Sequence, residues 1–146
     1  MSNNSTKKLE CDYLVIGGGA TGMAFVDEMI HNSRNLKVVL VDKHAKPGGH
    51  WNDAYPFVRL HAPAAWYGVN SRVLGRGGAD LATKAQILAY YELVMEDLKS
   101  TGRLSYFPQC EYLGEGKFKS LLQEGLEYEV KCFTILQSTS FANYQK

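Results

Sequence analysis

The stretch Asp12-Tyr13-Leu14-Val15-Ile16-Gly17-Gly18-Gly19-Ala20-Thr21-Gly22 decides how the rest of the chain is read. A short apolar run, Tyr13 to Ile16, ends in glycines. Phe25, Val26, Met29 and Ile30 then fall on one face at helical spacing. That order is strand, tight turn, helix. Gly17, Gly19 and Gly22 fill the three glycine positions of a G-x-G-x-x-G turn. In such a turn the first glycine lets the chain reverse, the second admits a pyrophosphate to the backbone, and the third lets the helix pack close to the strand. The helix N-terminus adds free N–H groups and a partial positive charge. A second apolar run, Leu36 to Val41, ends in Asp42, 20 residues beyond Gly22. An acidic group at that distance suits the hydroxyls of an adenosine ribose.

The chain has 146 residues, enough for one domain with a real core. It is 45% apolar and 21% charged, with a formal net charge of +1. This balance describes a globular chain and gives no electrostatic footprint for nucleic acid. No apolar stretch is long enough for a signal-peptide core or a membrane span, so the expected location is cytoplasmic. Cys11, Cys110 and Cys132 are odd in number and widely spaced, which argues for structural thiols rather than a disulfide scaffold or zinc site. His31, His44, His50 and His61 form no metal-binding spacing, so no metal site is expected.

Taken in order, residues 1–10 read as a mobile tail and 11–146 as one α/β domain of Rossmann-like type. Its first strand covers Cys11 to Ile16, its first helix Gly19 to Asn32 and its second strand Lys37 to Asp42. Together they make a right-handed βαβ unit. Lys43 to Gly78 holds both tryptophans and many glycines and prolines. A segment this long without period is either functional or a satellite core of aromatics. Thr83-Lys84-Ala85-Gln86 is a capping box. Ile87, Leu88, Tyr91, Val94, Met95 and Leu98 continue it as a helix that Gly102 stops. Leu104 to Phe107 reads as a third parallel strand. Short strands near 111–113, 117–122 and 128–132 read as a β-meander, and Phe133 to Leu136 either extends the last of them or adds another.

The glycine turn, Asp42 and the later Gly48-Gly49-His50-Trp51 together resemble the N-terminal FAD-binding region of flavoproteins with two dinucleotide-binding domains. The Tyr55-Pro56-Phe57-Val58-Arg59-Leu60 stretch is most similar to flavin-containing and Baeyer–Villiger-type monooxygenases. The resemblance covers about residues 10 to 140. It implies that Gly17, Gly18, Gly19, Ala20, Thr21 and Gly22 hold the FAD pyrophosphate, and that Asp42 takes the ribose with Lys43 beside the adenosine. It also implies that Gly49, His50 and Trp51 line the flavin end, that Arg59, Leu60 and His61 lie near the isoalloxazine, and that Cys110 contacts adenine through its backbone.

The resemblance has limits. The family more often carries Glu where Asp42 stands. NADPH reduces the flavin in full-length relatives, which then oxygenates a small-molecule substrate. No second G-x-G-x-x-G for NADPH occurs here. No redox cysteine pair follows the G-G step, which disfavours a disulfide reductase, and His50 stands where amine oxidases carry arginine. The late flavin-contact strand has only a loose counterpart at Gln137-Ser138-Thr139. The expectation is therefore an incomplete, truncated FAD-binding domain of an oxidoreductase, inactive alone and with no assignable catalytic residue. Unsatisfied sheet edges in such a piece favour self-association. The alternatives are a non-catalytic nucleotide-binding or regulatory fragment and an NAD-binding Rossmann domain.

Overall fold

The computed structural model describes residues 4–55, 59, 68–75 and 81–137. Four strands, β2 (Tyr13–Ile16), β3 (Val38–Val41), β6 (Leu104–Phe107) and β10 (Thr134–Gln137), form an all-parallel sheet in the order β10-β2-β3-β6. Helix α1 (Ala20–Asn32) links β2 to β3, and helix α2 (Lys84–Lys99) precedes β6. The chain then leaves this sheet for β7 (Cys110–Gly114), β8 (Lys117–Ser120) and β9 (Leu126–Lys131) before returning as β10. A small hairpin, β4 (Gly68–Val69) with β5 (Arg72–Val73), lies between α1 and α2 in sequence.

Side-chain alternation explains the layering. Val15, Val38, Leu40 and Leu104 pack with Met23, Val26 and Ile30 of α1 and with Ile87, Tyr91, Val94 and Leu98 of α2. Leu14, Ile16, Val39 and Val41 point the other way, against Cys110, Phe118 and Val130. The central strands are thus covered on both faces, as near-continuous apolar runs require. The helices form one outer layer and the meander sheet the other. Phe118 and Tyr128, opposite each other on β8 and β9, stack at 4.6 Å, and Phe107 closes the cluster at 5.1 and 4.9 Å.

Two expectations change and a third is narrowed to one of its alternatives. Ser5–Glu10, expected within a mobile tail, form β1, which pairs in parallel with β9 over six residues. The outer sheet is therefore mixed, in the order β1-β9-β8-β7, rather than a simple meander. Backbone pairing holds β1 in place although most of its side chains are exposed. Thr134–Gln137 neither extend the meander nor join it; they add a strand beside β2. The capping box is present as read: Gln86 N–H donates to the Thr83 hydroxyl at 3.2 Å and Thr83 N–H to the Gln86 side chain at 2.8 Å.

The long segment after β3 is partly core. Trp51, Val69 and Leu74 are buried in the helix-side cluster, which matches the satellite-core reading for these residues. The β4–β5 hairpin is pinned to both helices. Tyr90 accepts from Val69 N–H at 2.8 Å and donates to the Arg72 carbonyl. Asp27 of α1 is 1% exposed, and its carboxylate accepts from Ser71 N–H at 3.1 Å and from the Ser71 hydroxyl. Its other neighbour is His31 at 3.3 Å.

A buried carboxylate in mid-helix has no place there unless it fixes something, and here it fixes the hairpin. Asp27→Ala leaves the Ser71 donors unmet and is expected to lower stability by about 1–3 kcal/mol in urea unfolding. Glu96→Ala, on the exposed side of α2 with only a surface ion pair to Lys99, is the reference.

Candidate functional site

The site begins where β2 ends. Gly17 turns with φ of 107° and donates its N–H to the Val41 carbonyl at 2.8 Å, tying the turn to β3. Gly19 is the N-cap of α1, with no side-chain cap and no acidic residue in the first turn. The helical ladder starts with Met23 N–H donating to Gly19 at 2.9 Å. The first-turn amides and the positive end of the helix dipole therefore face a space that no capping side chain claims. Gly22 is buried in that turn, Ala20 packs against the helix-side core, and Thr21 is exposed.

Asp42 follows directly on β3 and is 5% exposed. One carboxylate oxygen accepts from Gly18 N–H at 3.2 Å; the other faces His44 N–H and Nδ1, both at 3.3 Å. A Cβ on Gly18 would stand 2.7 Å from this carboxylate, so the position between the fingerprint glycines is itself restricted to glycine. Lys43 is exposed beside it.

The second glycine turn closes onto the first. Gly48 N–H donates to the Gly18 carbonyl at 2.9 Å. Gly49 has φ of +56°, and a Cβ there would sit 2.7 Å from the Gly19 Cα. Backbone touches backbone at this point, which only residues without side chains permit. Gly49–Asn52 then form a single 3-10 turn. Trp51 is buried in the core, while His50 is exposed and stacks on it at 5.5 Å. Trp51 thus anchors the turn, and His50 is its accessible face.

His44 joins the two turns electrostatically. Its Nε2 lies 2.9 Å from Asp53, just past the 3-10 turn, and its Nδ1 lies 3.3 Å from Asp42. Partial burial pulls its pKa down, but hydrogen bonds to Asp53 and Asp42 and their charges outweigh this and raise it. Sequence reading passed over His44. The available signal was its spacing, two residues beyond the acidic strand end, with Asp53 near the second turn. Tyr106 on β6, opposite Leu40, carries a buried hydroxyl with no hydrogen-bond partner among the described residues. Burial, then the charges of Asp42 and Glu92, push its pKa well up, so it remains a neutral donor.

Two further expected residues are placed by backbone contacts. Cys110, the first residue of β7, is buried, and its N–H donates to the Asp42 carbonyl at 2.9 Å, directly behind the acidic strand end. Arg59 bridges to Thr83 and donates to the Leu81 carbonyl at 3.4 Å, at the start of α2. Leu60 and His61 lie outside the described residues. No helix among the described residues is long and apolar enough to cross a membrane.

Comparison with known proteins agrees with this fold. Residues 15–72 match the family described as an NAD(P)-binding Rossmann-like domain. The uncharacterized protein Rv2000 of Mycobacterium tuberculosis is 50% identical over 135 residues, covering 85% of this chain and 25% of that protein. The chain thus spans about a quarter of the length of the curated relatives it matches. The flavin-containing monooxygenase of Stenotrophomonas maltophilia shares the fold at a TM-score of 0.66 and 21% identity, covering 90% of this chain and 38% of that one. The bacillithiol disulfide reductase of Staphylococcus aureus does so at 0.65 and 17%, with the same coverage.

His44 gains its two carboxylate partners only on folding. A raised folded pKa stabilises fully below the ordinary imidazole value of about 6.5, and the gain is lost as pH rises through the folded value. Unfolding free energy measured across this range is expected to fall with rising pH in the native sequence, and to fall less in His44→Gln.

Proposed function

We propose that this chain, whose residues 15–72 carry an NAD(P)-binding Rossmann-like domain, is the FAD-binding portion of a flavin-dependent oxidoreductase of the monooxygenase kind. The observation that carries this reading is the backbone contact between Gly19 and Gly49. An NAD site needs the first glycine turn and the acidic strand end. It has no need of a second glycine turn docked on the first. A longer cofactor, whose second half must continue past the pyrophosphate, gives that turn a purpose.

The residues fit the group. The turn from Gly17 to Gly22 would hold the pyrophosphate through its amides and the α1 dipole. Asp42 would take the ribose hydroxyls: an ionised carboxylate offers about four acceptor sites, and Gly18 and His44 occupy part of them. Lys43 would lie beside the adenosine. Gly49 seats the second turn against Gly19, Trp51 anchors that turn in the core, and His50 would offer its exposed ring at the flavin end. Arg59, Leu60 and His61 are assigned to the isoalloxazine side. FAD would supply the redox chemistry. The protein's part is to bind it, orient it and shield it from water.

The single glycine fingerprint of these residues is assigned to FAD. Hydride delivery from NADPH and oxygenation of a small-molecule substrate are assigned to the whole protein of the longer relatives. The fold shared with a flavin-containing monooxygenase at 21% identity supports the cofactor class and says nothing of the substrate.

Titration of the purified chain with FAD, followed by flavin fluorescence, tests the reading. Saturable quenching is expected, competed poorly by NAD. Asp42→Ala removes charge-assisted hydrogen bonds worth about 1.5–3 kcal/mol, so it is expected to weaken binding about tenfold to a hundredfold. A folded chain that binds NAD and ignores FAD would overturn the assignment in favour of an NAD-binding domain.

A further inference from the structure

At the opposite end of the parallel sheet from the glycine turns, two cysteines meet. Strands β1 and β9 run parallel with Glu10 opposite Lys131, and Cys11 and Cys132 are the next residue on each. Cys11 N–H donates to the Lys131 carbonyl and Phe133 N–H to the Asp12 carbonyl, each at 3.0 Å, so backbone bonds bracket the pair on both sides. Adjacent strands lie about 4.8 Å apart, within the Cα separation that a disulfide spans. The Cys11 thiol donates to the Tyr13 carbonyl at 3.3 Å and feels the neighbouring Cys132 thiol. Both are free and half-buried, and both line one cavity of about 350 Å³ together with Glu10, Asp12, Lys37 and Lys131. Cys110, the third cysteine, is buried and does not line it.

We propose that Cys11 and Cys132 are a thiol modification site, which a hydroperoxide entering this cavity converts to an intramolecular disulfide. Cys132 attacks first. Its sulfur bonds to the terminal peroxide oxygen, the O–O bond breaks, and the leaving oxygen takes the Cys132 thiol proton to become water or an alcohol. The Cys132 sulfenic acid that results is attacked by the Cys11 sulfur. The S–O bond breaks, and the departing hydroxide takes the Cys11 proton as water. Two thiols lose two electrons and one hydroperoxide gains them. Burial, then the neighbouring Cys132, pushes the Cys11 thiol up to about 11. Cys11 therefore stays protonated at neutral pH, so it is not the first to attack the peroxide and gives up its proton only as the hydroxide departs from Cys132.

The bond would join the two points where the chain crosses from the outer sheet to the parallel one, just before β2 and just before β10. It would fasten β1 to the domain covalently without touching the glycine turns.

The test treats the full chain with a small excess of hydrogen peroxide, alkylates free thiols and maps the peptides. Three thiols are expected to fall to one, with the loss of two hydrogens per chain and a single cross-linked species joining Cys11 to Cys132. Dithiothreitol is expected to restore all three. Cys110→Ser is expected to go from two thiols to none. The oxidised chain is expected to melt at a higher temperature than the reduced one. Pairing through Cys110, disulfides between chains, sulfonates without cross-linking, or three thiols surviving excess peroxide would each overturn the proposal. Because the native sequence and the Cys110→Ser chain decide the matter, it does not depend on whether Cys11→Ser or Cys132→Ser folds.

Discussion

Two peptide backbones come into van der Waals contact only where neither carries a side chain in the way. Gly19 and Gly49 meet under that constraint, and the arrangement of the site follows from it. Once the turns touch, Gly48 N–H reaches the Gly18 carbonyl, and Gly18 in turn holds the Asp42 carboxylate. Three separate pieces of chain thereby converge at one end of β2 and β3: a helix N-terminus, an acidic strand end and a second glycine turn. That end lies beside β2, where the strand order reverses direction toward β10, the usual place for ligands in open parallel sheets.

The remaining structure serves to hold that convergence still. The central strands present one row of side chains to the helices and the alternate row to the outer sheet. Neither face is left to water, so β2 and β3 cannot slip register without exposing a whole apolar set. Trp51 extends the helix-side core under the second glycine turn. Helix α2 supports the same turn from the side: Leu88 lies where a Cβ on Gly48 would go, and Lys84 reaches the Asn52 carbonyl at 3.3 Å. His44, caught between Asp42 and Asp53, adds an electrostatic strap between strand end and turn.

Much of this was legible in the residues because it is local. Glycine spacing, the apolar runs on either side and the Thr83 capping box are short-range patterns, and the elements they imply are present. What was not legible is carried by pairing between distant segments. Ser5–Glu10 are polar and mostly exposed, with no apolar row to announce a strand; their ladder with β9 makes them one. Phe133 to Leu136 looked like strand, but nothing in four residues says which sheet they join, because sheet order is set by the whole topology. Asp27 read as one more helix residue, since its partner Ser71 lies 44 positions away. His44 was overlooked for the same reason: its role depends on Asp53 being brought to it. Trp51, expected at the flavin end, turns its ring inward to the core and leaves His50 as the exposed face.

The central claim is that the two touching glycine turns and Asp42 form one FAD cradle. The most direct measurement is amide chemical-shift mapping of the isotope-labelled chain as FAD is added. Concerted shifts at Gly17–Gly22, Asp42–His44 and Gly48–Trp51, with the Cys11–Cys132 end unmoved, are what the cradle requires. Shifts confined to the first turn and Asp42, with Gly48–Trp51 silent, or no shifts in a folded chain, would contradict it.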